Sequence, residues 1–166
     1  LASHLTVTGA FAYGSPHSFP AVIMPDLGMP SQLFIWQFCM TPRLIQALKA
    51  VCQILVLLVE LHASGASHGD IKFDNVTISR VLGAALIDLG YAVERQEPAE
   101  AGGPGTVMVN HNRGQTASFV PPEVIAAEVN TSGVPLVFDS AKSDVYSLGV
   151  TLFNWVFACP PYRVGT

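Results

Sequence analysis

With 166 residues, 50% of them apolar and only 12% charged, the chain is long enough for one compact domain with a sizeable core. A net charge of −4 gives no electrostatic footprint for nucleic acid or an anionic membrane, so neither is expected as a partner. A mean hydropathy of +0.43 is high for a stand-alone soluble domain and predicts surface that further sequence covers.

In chain order, His4 to Tyr13 carries small and β-branched residues and predicts one strand. Ala21 to Met24 is a short apolar strand bounded by Pro20 and Pro25. Pro42 to His62 predicts a helix, with Thr41 able to cap it, Pro42 suited to the first turn and Gly65 able to end it. Its most apolar stretch, Ala47 to Leu61, is interrupted by Lys49, Gln53 and Glu60. It falls short of the ~20 apolar residues a bilayer needs, so no transmembrane segment is expected.

Asn75 to Ser79 and Ala84 to Ile87 predict two short strands around a turn at Val81-Leu82-Gly83. Glu94 to Gln115, polar and rich in glycine and proline, predicts a loop without regular structure. Pro122 to Val129 can hold one short helix. Asp144 to Phe157 is apolar on nearly every face and predicts a helix buried all round. The three cysteines, Cys39, Cys52 and Cys159, have neither pairing nor metal spacing and are expected as free, mostly buried thiols.

The chemistry-bearing motif is His68-Gly69-Asp70-Ile71-Lys72-Phe73-Asp74-Asn75, followed thirteen residues after Asn75 by Asp88-Leu89-Gly90. An acid, a lysine two residues on and an amide three further on make a compact phosphoryl-transfer loop. The second acid on a following turn supplies a charged ligand for magnesium. In order and chemistry this resembles the H-R-D-L-x-x-x-N … D-F-G pattern of the eukaryotic protein kinases. Downstream, Thr116 to Glu123 (TASFVPPE) resembles T-x-x-Y-x-A-P-E. Asp144 to Val150 (DVYSLGV) resembles the opening of the family's central helix, and Ala158 to Tyr162 (ACPPY) its G-x-P-P-F turn with alanine for glycine.

The resemblance implies an α+β, protein kinase-like fold, represented incompletely: the last N-lobe strands, then a mainly helical C-lobe as far as its central buried helix. On that reading, residues 1–27 supply N-lobe strands and the hinge, and 28–166 a truncated C-lobe. The Gly-rich loop, the phosphate-gripping lysine and the last helices would lie outside the chain, which alone is expected to be inactive.

The resemblance also implies ATP and Mg2+ as cofactors, a protein serine or threonine hydroxyl as substrate, and roles for individual residues. Asp70 would orient the hydroxyl and accept its proton, while Lys72 would offset charge at the γ-phosphate. Thr116 would bond the catalytic aspartate and lysine. Asn75 and Asp88 would hold magnesium. Met24 would be the gatekeeper, with Pro25 C=O and Leu27 N–H facing the adenine edge; proline suits a position that uses only a carbonyl. Asp144 would bond the catalytic-loop backbone, and Glu123 would be a buried carboxylate whose arginine partner lies beyond Thr166.

Two substitutions depart from the pattern. Leu89 replaces phenylalanine and keeps an apolar side chain. Gly69 replaces the arginine that in the family pairs with a phosphorylated activation loop, so loop phosphorylation is not expected as the main ordering switch. The glycine form of the loop also resembles some checkpoint kinases and the secreted rhoptry kinases of apicomplexan parasites. Two other readings stand beside the kinase. One is a pseudokinase or binding scaffold. The other is a small-molecule phosphotransferase of the aminoglycoside or choline kinase type, which carries H-G-D-L-H-x-x-N; Lys72, the Thr116–Glu123 segment and the Asp144 motif oppose it.

Overall fold

The computed structural model describes residues 11–13, 21–23, 26–94, 106–109, 117–125 and 136–161. Strands β1 (Phe11–Tyr13) and β2 (Ala21–Ile23) pair antiparallel, with Phe11 opposite Ile23. After them come β3 (Met29–Pro30), α1 (Ser31–Trp36) and the long helix α2 (Met40–Ala63). Strand β4 (Ala66–Ser67) leads into the motif loop, which ends in a single 3-10 turn at Phe73–Asn75. The hairpin β5 (Val76–Ser79) and β6 (Gly83–Leu86) follows, then a second 3-10 turn at Leu89–Tyr91 and β7 (Val93–Glu94). Strands β8 (Thr106–Val109) and β9 (Leu136–Asp139) pair with each other, and β9 runs directly into α3 (Ser140–Phe157).

Helix α2 begins two residues earlier than its sequence signals imply, with Cys39 rather than Thr41 at the N-cap and no side-chain cap bond. Pro42 still falls in the first turn, where no N–H is needed. The helix ends as expected: Gly65 takes φ +82° and its N–H reaches His62 C=O at 3.1 Å. Its 24 residues are long and apolar enough, by length and composition, to cross a membrane. Its inner face nevertheless builds the core. Ala47, Ala50, Ile54 and Leu58 are buried and pack with Ile35, Ile71, Val76, Leu148 and Trp155. Gln53 Oε1 accepts the Ala84 N–H at 2.8 Å, tying α2 to the β5–β6 hairpin.

Helix α3 is the centre of this core but is not buried all round. Leu148, Val150, Thr151 and Trp155 are buried, whereas Val145 and Phe157 are more than half exposed and Phe153 is half-buried. It starts at Ser140 because Asp139 caps it, its Oδ1 accepting the Lys142 N–H at 3.1 Å. Trp155 has no exposed surface, and its indole N–H donates to Ser31 Oγ at 3.1 Å. That hydroxyl donates to Phe73 C=O at 2.7 Å, so one buried chain of hydrogen bonds links α3, α1 and the motif loop.

Several local expectations need correction. The three cysteines are free but exposed: Cys39 precedes α2, Cys52 sits on its outer face and Cys159 follows α3. Residues 106–109 form β8, because Thr-Val-Met-Val finds a strand partner in Leu-Val-Phe-Asp. The short helix expected at Pro122 is present at 122–125, with its further extent outside the described residues.

Ala158 ends α3 in the left-handed region, at φ 57° and ψ 26°, its N–H bonded to Asn154 C=O at 2.8 Å. A Cβ is strained there, which explains the glycine of the resembling motif. Ala158→Gly should therefore stabilise the protein by about 0.5–1 kcal/mol after allowing for the freer unfolded chain. Urea unfolding at constant m-value reads this directly, and a destabilised variant would contradict the conformation.

Candidate active site

The motif loop is held from beneath by the side chain of Asp144, which is 1% exposed on α3. Its Oδ2 accepts the His68 N–H at 2.8 Å and its Oδ1 the Gly69 N–H at 2.9 Å. His62, near the end of α2, adds its Nε2 to Oδ2 at 2.9 Å. A buried carboxylate needs such donors, and here two of them are consecutive amides of the loop. Asp144 thus supports the loop backbone as its motif implied. The His62 contact had no sequence signal, since a histidine in the last turn of a helix also serves as a plain C-terminal cation.

At the top of the loop, Asp70, Lys72 and Asn75 converge. Asp70 is 6% exposed. Its Oδ2 lies 2.8 Å from Lys72 Nζ and accepts from Asn75 Nδ2 at 2.9 Å, while the same amide nitrogen donates to Asp70 C=O at 2.8 Å. Committing Nδ2 in this way leaves Asn75 Oδ1 as the acceptor end of the amide, the end a hard cation takes.

Asp88 is solvent-exposed and has φ 64° and ψ 78°, left-handed for a residue with a side chain; its Oδ1 accepts the Gly90 N–H at 3.1 Å. Such a conformation costs of order 1–3 kcal/mol and persists only where neighbours over-determine it. They do so here. His68 Nε2 lies 3.1 Å from Ile87 C=O, and Ile87 N–H donates to Asn75 C=O at 2.9 Å. With Nε2 donating, His68 Nδ1 can accept the Asp70 N–H, a long contact of 3.4 Å. Below these links β4 pairs with β7, Ser67 opposite Val93, closing the two loops at their base. Gly69, at φ +80°, permits the approach: a Cβ would lie 2.3 Å from Tyr91 C=O.

Asn75 Oδ1 and the Asp88 carboxylate are side-chain oxygens of the kind that could hold a hard cation. Among the described residues no three His, Cys, Asp or Glu side chains form a cluster able to cage a metal. One carboxylate and one amide oxygen are what an ion needs when it keeps waters and takes the rest of its ligands from phosphates.

Phe119 and Val120 form a wall beside Asp70. Phe119 stacks edge-on against Phe73 with ring centres 5.6 Å apart, and its C=O accepts from Ser147 Oγ at 2.8 Å. The cavity between this wall, the motif loop and Ser143 and Ser147 of α3 has a volume of only about 10 Å3, room for about one water. Glu123, expected as a buried carboxylate, is exposed. Its neighbour Tyr146 has its hydroxyl pKa held above 10.0, first by burial and then by the Glu123 charge. Leu27 is half-buried just before β3, while Met24, Pro25 and Thr116 lie outside the described residues.

If Asp144 carries the loop, Asp144→Asn should destabilise the protein by about 2–4 kcal/mol, because its NH2 would face loop donors. His62→Gln should cost about 1 kcal/mol. Denaturant midpoints separate the two, and an Asp144→Asn protein as stable as the parent would refute the support role.

Comparison with known proteins agrees with this architecture. The protein kinase domain family matches residues 32–166. The chain is 30% identical over 124 residues to the "Probable serine/threonine-protein kinase 2" of Plasmodium falciparum (isolate K1 / Thailand), covering 70% of this chain and 20% of that protein. It is 28% identical over 118 residues to the serine/threonine-protein kinase PknD of Mycobacterium tuberculosis (strain ATCC 25618 / H37Rv), covering 71% and 15%. It is 26% identical over 120 residues to the serine/threonine-protein kinase PDK1 of Cryptococcus neoformans, covering 69% and 8%. The chain thus spans a fifth or less of the length of these curated relatives. Its α+β fold is that of a partial kinase domain, and the chain belongs to the protein kinase family.

Proposed function

We propose that the chain is the lower part of the catalytic domain of an ATP- and magnesium-dependent serine/threonine protein kinase. Residues 1–27 would contribute upper-lobe strands and hinge, and residues 28–166 the lower lobe. The observation that supports this most is the convergence of Lys72 and Asn75 on one oxygen of Asp70, beside an Asp88 locked to the same loop through Ile87.

In this reading Asp70 accepts the proton of the substrate hydroxyl as its oxygen bonds to the γ-phosphorus and ADP leaves. Lys72 passes from Asp70 to the transferring phosphoryl group and offsets its charge. Asn75 Oδ1 and the Asp88 carboxylate hold magnesium, which when bound neutralises charge on the phosphates. By the resemblance, Thr116 would bond Asp70 and Lys72, and Met24, Pro25 and Leu27 would border the adenine. The names of the relatives support a protein hydroxyl as acceptor.

The test uses the longer protein with its upper lobe, ATP, magnesium and a serine/threonine peptide. Asp70→Asn and Asp88→Asn should each lower kcat by about 10²-fold or more, with circular dichroism unchanged. A parent protein that binds ATP without turnover would make it a scaffold. Transfer to an aminoglycoside or choline rather than a peptide would make it a small-molecule phosphotransferase.

A further inference from the structure

Among the described residues, two buried side-chain polar atoms have no hydrogen-bond partner: Thr77 Oγ1 on β5 and Asn154 Oδ1 on α3. Such atoms are costly in a folded protein and call for a physical account. Thr77 is only 8% exposed. The pleat of β5 puts its neighbours Val76 and Ile78 on the core face, where they pack with Ala84 and Leu86. Thr77 therefore projects from the opposite face. Its partners across the strands are Pro30 on β3 and Ala85 on β6, and neither side chain carries a donor or an acceptor. Ser79, the next residue on that face, already accepts the Val81 and Leu82 N–H groups through its Oγ. Short apolar neighbours on both sides leave the Thr77 hydroxyl at the base of a smooth strip. Small-molecule sites are built in this way, from apolar surface with a few placed polar groups.

The strip runs between two places that the proposed kinase gives to its nucleotide. At one end, Gly28 with φ +98° brings the chain after Leu27 so close to β5 that a Cβ there would collide with Ile78 C=O. At the other end, Asn75 stands two residues before Thr77. Its C=O accepts the N–H of Ile87, the residue before Asp88. A nucleotide that turns its base to Leu27 and its phosphates to Asn75 and Asp88 lays its nucleoside over Thr77 and Ala85.

We infer that the Thr77 hydroxyl hydrogen-bonds the nucleoside of the bound nucleotide and so helps to select it. The inference rests on the kinase reading and adds a side-chain contact that the resemblance does not assign. A hydroxyl both donates and accepts, so it matches the ring nitrogens of a purine and the hydroxyls of a ribose alike. Left unpaired, the same hydroxyl weakens the empty protein; paired by the nucleoside, it strengthens binding.

The experiment uses the longer protein with its upper lobe and measures the binding of ATP with magnesium, of adenosine and of inorganic tripolyphosphate by calorimetry. Thr77→Val keeps the shape of the side chain and removes the hydroxyl. It should weaken ATP and adenosine by the same factor, about five- to tenfold, and leave tripolyphosphate unchanged. Thr77→Ser restores a hydroxyl and should bind ATP within about threefold of the parent. Without ligand, Thr77→Val should unfold at a higher urea concentration than the parent, because a methyl group replaces an unpaired hydroxyl.

Equal affinity of the parent and Thr77→Val for ATP would overturn the inference and leave the kinase reading standing. Weaker tripolyphosphate binding by Thr77→Val would also overturn it, since the effect would then lie at the phosphates. So would a lower urea midpoint for Thr77→Val, which would give the hydroxyl a partner within the fold. A parent protein that binds neither ATP nor adenosine would sink the kinase reading itself, and the contact with it.

Discussion

Everything at the site depends on one buried carboxylate. Asp144 sits on α3, almost without solvent contact, and accepts two consecutive backbone N–H groups of the motif loop and a nitrogen of His62. Leaving that carboxylate without donors would be costly, so the loop is drawn down onto the helix. Its consequences then spread by hydrogen bonds. A fixed His68 reaches Ile87 C=O, Ile87 reaches Asn75 C=O, and Asn75 reaches Asp70. Two loops that would otherwise move independently become one platform, and Asp88 takes its left-handed backbone from that platform.

The helix that carries Asp144 can act as a post because the core is built around it. Trp155 anchors it to Ser31 and, through that hydroxyl, to Phe73 in the motif loop, while the Trp36 indole N–H donates to Trp155 C=O at 3.2 Å. Ser147, one turn beyond Asp144, fixes Phe119 and so aligns the wall beside Asp70. Helix α2 packs on α3 with one face only. Its other face carries Leu44, Ile45, Leu48, Leu55, Val56 and Val59 in the open, which accounts for the high hydropathy of the chain.

The meeting of Asp70, Lys72 and Asn75 was legible in the sequence because the three residues are local. Asp70, Lys72 and Asn75 lie within one turn of chain, and their chemistry restricts what the spacing can mean. The role of Asp144 was legible only through its surrounding motif, since a lone aspartate at a helix start normally caps that helix; Asp139 does so here. Long-range partners left no such trace. Nothing in the sequence around His62 or Ser31 distinguishes a partner 82 or 124 residues away from solvent. Strand β8 was masked by its polar, glycine-rich flanks, since four residues gain strand character only from their partner. The buried cysteines and buried Glu123 failed for a related reason: residue type predicts average burial, whereas the face of a helix or the edge of a turn decides the individual case.

The central claim is that the motif loop is held by its backbone. Amide hydrogen exchange resolved at His68 and Gly69 tests it most directly. Both N–H groups should exchange as slowly as those in the middle of α3, and exchange at both should accelerate together when Asp144 is replaced by Asn. If both amides exchange at the rate of an exposed loop while α3 remains protected, the carboxylate does not carry the loop, and the platform described here does not exist in solution.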